Sequence, residues 1–239
     1  MNSIYLSIIV PCFNEKNTIL KVINRINRLK KIKKQIILVD DGSYDGTQEL
    51  IEKKLKNKVD KIVFHNKNKG KGAAIISSSK FIKGNLVIIQ DADLEYDPMD
   101  YYKLLKPFLD KNTKVVYGSR VLGRKKIRNL FYLRNFSKNF RIFGNFILTK
   151  CSNFINNQSL TDAHTCYKIF RKNIFFKLRL KEKGFSFCPE VTTKLAKLSY
   201  PIVEVPISYS GREVKDGKKI RLKDAFGALI TIFKYKYFN

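Results

Sequence analysis

An α/β fold built on a mainly parallel sheet is predicted by three features of this 239-residue sequence. Short apolar runs rich in Ile and Val alternate with helical patterns through the first 118 residues. The runs are continuous rather than alternating, as in strands buried on both faces. Three of them break off into polar and acidic residues, the behaviour of strands leaving a sheet at the edge where open α/β folds keep their ligands.

The elements follow in order. Residues 4–10 read as a strand closed by Pro11, and 18–29 place Ile19, Val22, Ile23, Ile26 and Leu29 on one helical face. A second strand is expected at 35–39, a helix at 45–56, a third strand at 61–65, and a helix at 72–82 entered through the glycines of KGKGAA. Residues 86–89 form a fourth strand, Pro98 suits the start of a helical stretch running to 109, and 114–118 return as strand. Four or five strands alternating with helices imply a mainly parallel sheet covered on both faces, and on that architecture residues 1–118 are read as a nucleotide-binding half.

Beyond it the character changes. Residues 111–161 hold 11 Lys or Arg and no Asp or Glu. Leu133, Phe136, Phe140, Phe143 and Ile147 recur at helical spacing, while Arg134, Lys138 and Arg141 fall on another arc. No linker, repeat or low-complexity tract divides the chain, so 1–239 are taken as a single domain with 119–239 as its acceptor-side half.

Composition excludes several classes. The hydrophobic content of 44% argues against disorder. The four cysteines, Cys12, Cys151, Cys166 and Cys188, lie far apart with only two histidines in the chain, which speaks against a disulfide framework or a zinc site and for a reducing compartment. No secretory signal peptide and no stretch of the ~18–20 apolar residues that a transmembrane helix needs are read. The net charge of +28 points to an anionic partner: phosphates, nucleic acid or a lipid surface. A general Lys bias spread over solvated faces accounts for part of it.

Against that basic background, VIIQDADLEYDP at 87–98 concentrates four carboxylates, Asp91, Asp93, Glu95 and Asp97, directly after a strand. IIVPCFNE at 8–15 and ILVDDGSYDGT at 37–47 end in the same way, so the fold is expected to gather Glu15, Asp40, Asp41, Asp91 and Asp93 at one rim. Crowded carboxylates repel unless a cation joins them. The Asp91-Ala92-Asp93 spacing suits a hard divalent ion sharing its shell between carboxylates and substrate phosphates. Taken alone, the triplet also fits two carboxylates capping a turn.

PCFNE, VDDGS, NKGKGAA and QDADLEYDP, in this order and at these intervals, closely resemble the family 2 glycosyltransferases with the GT-A (nucleotide-diphospho-sugar transferase) fold. YGSR at 117–120, DAHTCYKIFR at 162–171 and FSFCPEVTTKLAK at 185–197 resemble the dolichyl-phosphate mannose synthase and glucosyltransferase branch. The resemblance implies an enzyme with Pro11, Phe13, Glu15 and Asp41 on the base and ribose of a sugar nucleotide, Asp40 as a helper, and Lys71 and Ala92 in the donor site. It further implies Asp91 and Asp93 as ligands of Mg²⁺ or Mn²⁺ on the diphosphate, and Glu95 where the mannose synthases usually carry Gln as a further ligand. Arg120, Arg134 and Arg212 match positions that grip the acceptor phosphate or donor diphosphate, with Lys138 and Lys218 (or Lys219) beside them. Asp93, Arg120, Arg134 and Arg212 thus form the implied catalytic set.

The activity implied is inverting transfer of glucose or mannose from UDP-glucose or GDP-mannose to a polyprenyl phosphate. A phosphate monoester acceptor already carries its negative charge near neutral pH and needs orientation and shielding rather than a general base. The basic, aromatic stretch 120–154 and the segment AFGALITIFKYKYF at 225–238 fit amphipathic helices at a lipid surface. Peripheral attachment at the cytoplasmic membrane face is therefore expected; packing of Leu133, Phe136 and Phe140 into the core is the other reading of that face. Two alternatives stand beside this one. A glycan or other non-prenyl acceptor would have less use for the three arginines. A nucleic-acid-binding module would exploit the +28 charge, but the acidic rim would repel a phosphate backbone. The choice of sugar and base, the prenyl chain and the oligomeric state are not written in these motifs.

Overall fold

The computed structural model describes residues 4–123, 136–212 and 222–238, of 136–142 and 222–223 the backbone only. Its centre is a seven-stranded sheet in the order β3-β2-β1-β4-β6-β5-β7. The strands are β1 (Tyr5–Cys12), β2 (Lys33–Asp40), β3 (Lys61–Phe64), β4 (Leu86–Ile89), β5 (Val115–Ser119), β6 (Lys168–Arg171) and β7 (Ile202–Pro206). Strands β1 to β4 run parallel, and β5 and β7 are parallel to each other. Between β4 and β5 lies β6, antiparallel to both. The mainly parallel α/β sheet expected from the sequence is present, completed by two strands, β6 and β7, that the periodicity did not reveal.

The apolar runs form the core for the reason their continuity implied. Ile8, Ile9 and Val10 lie opposite Ile36, Ile37 and Leu38, and all six are buried. Helices α1 (Ile19–Asn27), α2 (Thr47–Lys54), α3 (Lys71–Ser78) and α4 (Tyr101–Leu105) cover this part of the sheet. The Ile19, Val22, Ile23, Ile26 stripe of α1 is buried as its spacing predicts.

Two boundaries moved for identifiable reasons. Pro11 does not close β1, which runs to Cys12. Ile9 carbonyl accepts from Gln90 N–H on the β4 side and Cys12 carbonyl from Asp41 N–H on the β2 side, so Pro11 faces β4. Pairing with β4 ends at Ile9, and the missing N–H of Pro11 leaves no bond unmade. The helix expected from 45 starts at Thr47, because Asp45 accepts from Thr47 N–H (3.0 Å) in a turn ahead of it and Gly46 adopts a φ of 89°.

The second half adds α5 (Phe136–Asn156), α6 (Lys172–Lys177), α7 (Phe187–Lys197) and α8 (Leu222–Phe233), the last continuing as a π-helical turn Lys234–Phe238. Helix α5 is amphipathic in an inverted sense. Its buried stripe is polar, Thr149, Ser152 and Asn156, with Asn145 half-buried above them. Its outer stripe is apolar: Phe143, Phe146 and Phe154 are 59%, 54% and 90% exposed. On the neighbouring α8, Phe226, Ile230 and Phe233 face outward in the same way. Among the described residues, no helix is long and apolar enough to cross a membrane. Leu133 and Arg134 lie outside the described residues, as do the side chains of Phe136, Lys138, Phe140 and Arg141.

Candidate active site

Strands β1, β2 and β4 deliver their polar ends to one edge, and the loops there are sewn together by side chains. Asn14, at a φ of 52° that Asn tolerates, donates its N–H to Ser43 Oγ (2.8 Å) and accepts from Tyr44 N–H (3.0 Å). Phe13 meets the exposed Tyr44 ring edge-on at 5.8 Å. Glu15 donates its N–H to Thr47 Oγ1 (3.0 Å), and its carboxylate accepts from Thr18 Oγ1 (2.7 Å) and from both terminal nitrogens of Arg212 (3.1 and 3.0 Å).

The two aspartates at the end of β2 are buried and committed to backbone and neighbours. Asp40 accepts from Ser43 N–H and Oγ and from Gln48 Nε2 (3.0, 2.6 and 2.7 Å). Asp41 accepts from the N–H groups of Lys69 and Gly70 (2.9 and 2.7 Å) and lies 2.6 Å from His65 Nδ1. Asp40 thus shapes the loop after β2, and Asp41 fixes the KGKG turn. Carboxylates at strand ends lose hydration when the sheet closes, so each finds local donors.

At the end of β4, Gln90 accepts from the phenols of Tyr101 and Tyr167 (2.7 Å each) in the core. Asp91 pairs with Lys71 at 2.5 Å. Burial works against the Lys71 ammonium, and Asp91, the largest of the influences opposing it, helps to hold the lysine well above its ordinary pKa. Ala92 is buried between the two acids. Asp93 accepts from Glu95 N–H (3.1 Å) and pairs with Arg212 at 3.1 Å. Glu95 has both oxygens engaged, by Tyr209 Oη (2.7 Å) and Arg212 N–H (2.8 Å). Burial first, then the charges of Asp91 and Glu95, push Asp93 up to about 7 despite the pull of Arg212.

That surplus negative charge, on oxygen donors alone, is the fit test for a hard divalent cation, and Asp91 and Asp93 pass it. Asp91 and Asp93 would each exchange one cationic partner, Lys71 or Arg212, for the metal. Glu95 fits less well as a third ligand, because both its oxygens would have to be released, from Tyr209 and from the Arg212 N–H. Among the described residues, no three His, Cys, Asp or Glu side chains converge as a metal cage. A shell of two carboxylates plus phosphate oxygens is what remains.

Arg120 sits apart from this acid cluster. Its Nε and one terminal nitrogen bind the fully buried Asp162 bidentately at 2.7 and 2.8 Å, and its guanidinium lies 5.2 Å from the centre of the Tyr209 ring. Asp162 is held in turn by its own N–H on Glu204 (3.0 Å) and by Asn145 of α5 (3.3 Å). Asp162, Tyr209, His65 and Gln90 were missed from sequence. Only Asp162 carried a signal, as the first carboxylate after the acid-free stretch. Arg134 and Lys218 lie outside the described residues, and so does the Lys138 side chain.

An α/β sheet with an acidic rim at β1 and β4 and an antiparallel β6 inserted beside β4 is the architecture of the GT-A glycosyltransferases. Glucosyl-3-phosphoglycerate synthase from Mycobacterium tuberculosis, solved with UDP, superimposes with a TM-score of 0.69 over 98% of this chain and 80% of its own, at 17% identity. The model of glycosyl transferase family 2 matches residues 7–179, and the chain belongs to that family. It is 28% identical over 230 residues to the dolichol-phosphate mannosyltransferase of Pyrococcus furiosus, covering 95% of this chain and 62% of that protein. The chain thus spans less than two thirds of that relative's length. The polyprenol monophosphomannose synthase of Mycolicibacterium smegmatis is 27% identical over 219 residues, 87% of this chain and 78% of the other. The protein is a glycosyltransferase with relatives in the dolichyl-phosphate mannose synthase branch, as its motifs implied.

Proposed function

We propose that this enzyme transfers glucose or mannose, with inversion, from UDP-glucose or GDP-mannose to a polyprenyl phosphate at the cytoplasmic membrane face, using Mg²⁺ or Mn²⁺. The names of the Pyrococcus and Mycolicibacterium relatives support the acceptor class. The observation that carries the reading is the inverted α5 beside α8. Apolar side chains facing out and polar ones facing in is the arrangement a lipid surface selects, since water outside would select the opposite. Lys150, over the Phe146 ring, borders this face and suits anionic headgroups.

In the reaction, a phosphate oxygen of the acceptor attacks the anomeric carbon as the bond from that carbon to the nucleoside diphosphate breaks. The acceptor monoester becomes a diester, the diphosphate departs, and no general base is required because the monoester is already ionised. Phe13 and Glu15, with Pro11 behind them, form the floor for base and ribose, and Asp41 serves that floor by holding the turn at Lys69 and Gly70. A cation held by Asp91 and Asp93 would neutralise charge on the departing diphosphate. Lys71 and Arg212, both already at those carboxylates, supply donors aimed at the same oxygens. Arg120, anchored by Asp162, presents a fixed positive charge near Tyr209, while Arg134, Lys138 and Lys218 complete the acceptor-phosphate set. The nucleic-acid alternative finds no support in this rim, which faces ligand with carboxylates.

The test is transfer by purified protein from radiolabelled UDP- and GDP-hexoses to a short polyprenyl phosphate, with and without Mn²⁺. A metal-dependent lipid-soluble product that Asp93→Ala abolishes is expected. Metal-dependent donor hydrolysis without labelled lipid would sink the acceptor assignment and leave the glycan alternative.

A further inference from the structure

The turn that carries Lys71 does not support itself. Gly70, at a φ of 98°, and Gly72 lie so close to residues 182–183 that a Cβ on either would run into a carbonyl oxygen, of Lys183 for Gly70 and of Glu182 for Gly72. Ala73 N–H donates to that same Lys183 carbonyl at 2.9 Å. The first turn of α3 therefore rests on the backbone of a loop more than 100 residues away in sequence.

That loop is held from below by one side chain. Glu190 of α7 is fully buried, and its two oxygens accept from the N–H groups of Lys181 (2.8 Å) and Glu182 (2.9 Å). Lys194 Nζ, one turn on, neutralises it at 2.6 Å. From the other side, the C-terminal π-helical turn closes on the loop: Lys234 Nζ and the phenol of the buried Tyr235 both donate to Glu182 Oε1, at 2.8 and 3.0 Å. A buried carboxylate accepting two backbone N–H groups fixes their two peptide planes, and the carbonyls of Glu182 and Lys183 that meet the Gly70–Gly72 turn follow one and two planes further along the same short loop.

We infer that Glu190 is a positioning residue for the donor site, which it serves by seating the 181–183 loop under the Gly70–Gly72 turn and so placing Lys71 on Asp91. Tyr235 is its second clamp. The inference rests on the donor role of Lys71 given above, and it links the C-terminal segment that borders the apolar face to the nucleotide end of the site. Helix α8 and the donor pocket then share one rigid connection, with no contact between α8 and donor required.

A binding cycle without lipid tests this. UDP and GDP, each with Mg²⁺, are titrated calorimetrically into wild type, Glu190→Gln, Lys71→Met and the double variant, with thermal midpoints recorded for each. Whichever nucleotide binds, Glu190→Gln is expected to weaken it about tenfold in the wild-type background and to add nothing once Lys71 is Met, the signature of two residues acting through one contact. Tyr235→Phe, which keeps the ring and loses the phenol, is expected to weaken binding in the same background by a smaller factor. Asn156→Ala breaks contacts to Ser152 and to Thr193 of α7 elsewhere on that helix and serves as the destabilised comparison, with unchanged nucleotide affinity. Equal losses from Glu190→Gln in both backgrounds, or a lowered thermal midpoint with unchanged affinity, would overturn the inference alone. A Lys71→Met variant that binds nucleotide as wild type does would overturn both it and the donor role of Lys71.

Discussion

Removing Asp162 gives the sharpest test of how the second half of the chain is held. Its carboxylate is wholly buried and receives four hydrogen bonds: Nε and a terminal nitrogen of Arg120, the Arg120 N–H at 3.1 Å, and Asn145. In Asp162→Ala the guanidinium stays enclosed with no counter-charge, a change that costs about 3–5 kcal/mol for a buried pair. Ordinary domains hold about 5–15 kcal/mol in all, so a large part of the stability is at stake. For a domain of this size about 1 kcal/mol moves the thermal midpoint by 2–4 °C, which translates to a fall of roughly 6–20 °C. Urea titration should show the midpoint falling with an unchanged slope.

The pH dependence gives a second reading of the same pair. Burial alone would raise Asp162, but Arg120 outweighs it and holds the carboxyl below its ordinary value. A depressed carboxylate contributes stability that is complete above its unfolded pKa of about 3.9 and fades as pH falls through the lower folded value. The gap between wild type and Asp162→Asn should therefore be constant from neutral pH down to about 4 and close below it. A loss under about 1 kcal/mol at pH 7 would refute the reasoning, since that is the worth of a solvent-screened pair.

Three further outcomes follow from the site and its surroundings. Asp93→Asn should abolish metal-dependent transfer while raising the thermal midpoint of the metal-free protein, because it relieves the crowding with Asp91 and Glu95; a lowered midpoint would mean that the Arg212 pairing outweighs that repulsion. Replacing Gln90 by Leu leaves the Tyr101 and Tyr167 phenols without their acceptor and should cost roughly 2–6 kcal/mol, read by urea denaturation. The triple change Phe143→Ser, Phe146→Ser and Ile230→Ser, all at exposed positions, should weaken flotation with anionic vesicles with little change in thermal midpoint, and unchanged flotation would remove this face from the docking surface.

What could be read from the sequence is what lies close together along it. The strands of the first half announced themselves because each is a continuous apolar run bounded by helical periodicity, and the acids at their ends followed from the direction of a parallel sheet. Strands β6 and β7 did not, because KIFR leaves only two apolar residues between charges and IVEVP breaks its apolar run at Glu204, so neither shows the continuous run that marked β3 and β4. The residues that resemble known donor sites were legible as motifs, yet their partners were not. Nothing local in the sequence says that Arg212 reaches back to Glu15, 197 residues away, or that Tyr209 clamps Glu95.

The sequence by itself determined the α/β class, the strand ends that carry carboxylates and the family, since periodicity and short motifs are local properties of the chain. Only the tertiary structure decided which of those carboxylates remain available. Asp40 and Asp41 turn inward to backbone donors, Asp91 and Asp93 keep surplus charge beside Lys71 and Arg212, and α5 turns its phenylalanines outward. Each of these outcomes depends on what distant segments pack against a side chain. Desolvation and charge pairing are set by three-dimensional neighbours, and spacing along the chain does not encode them.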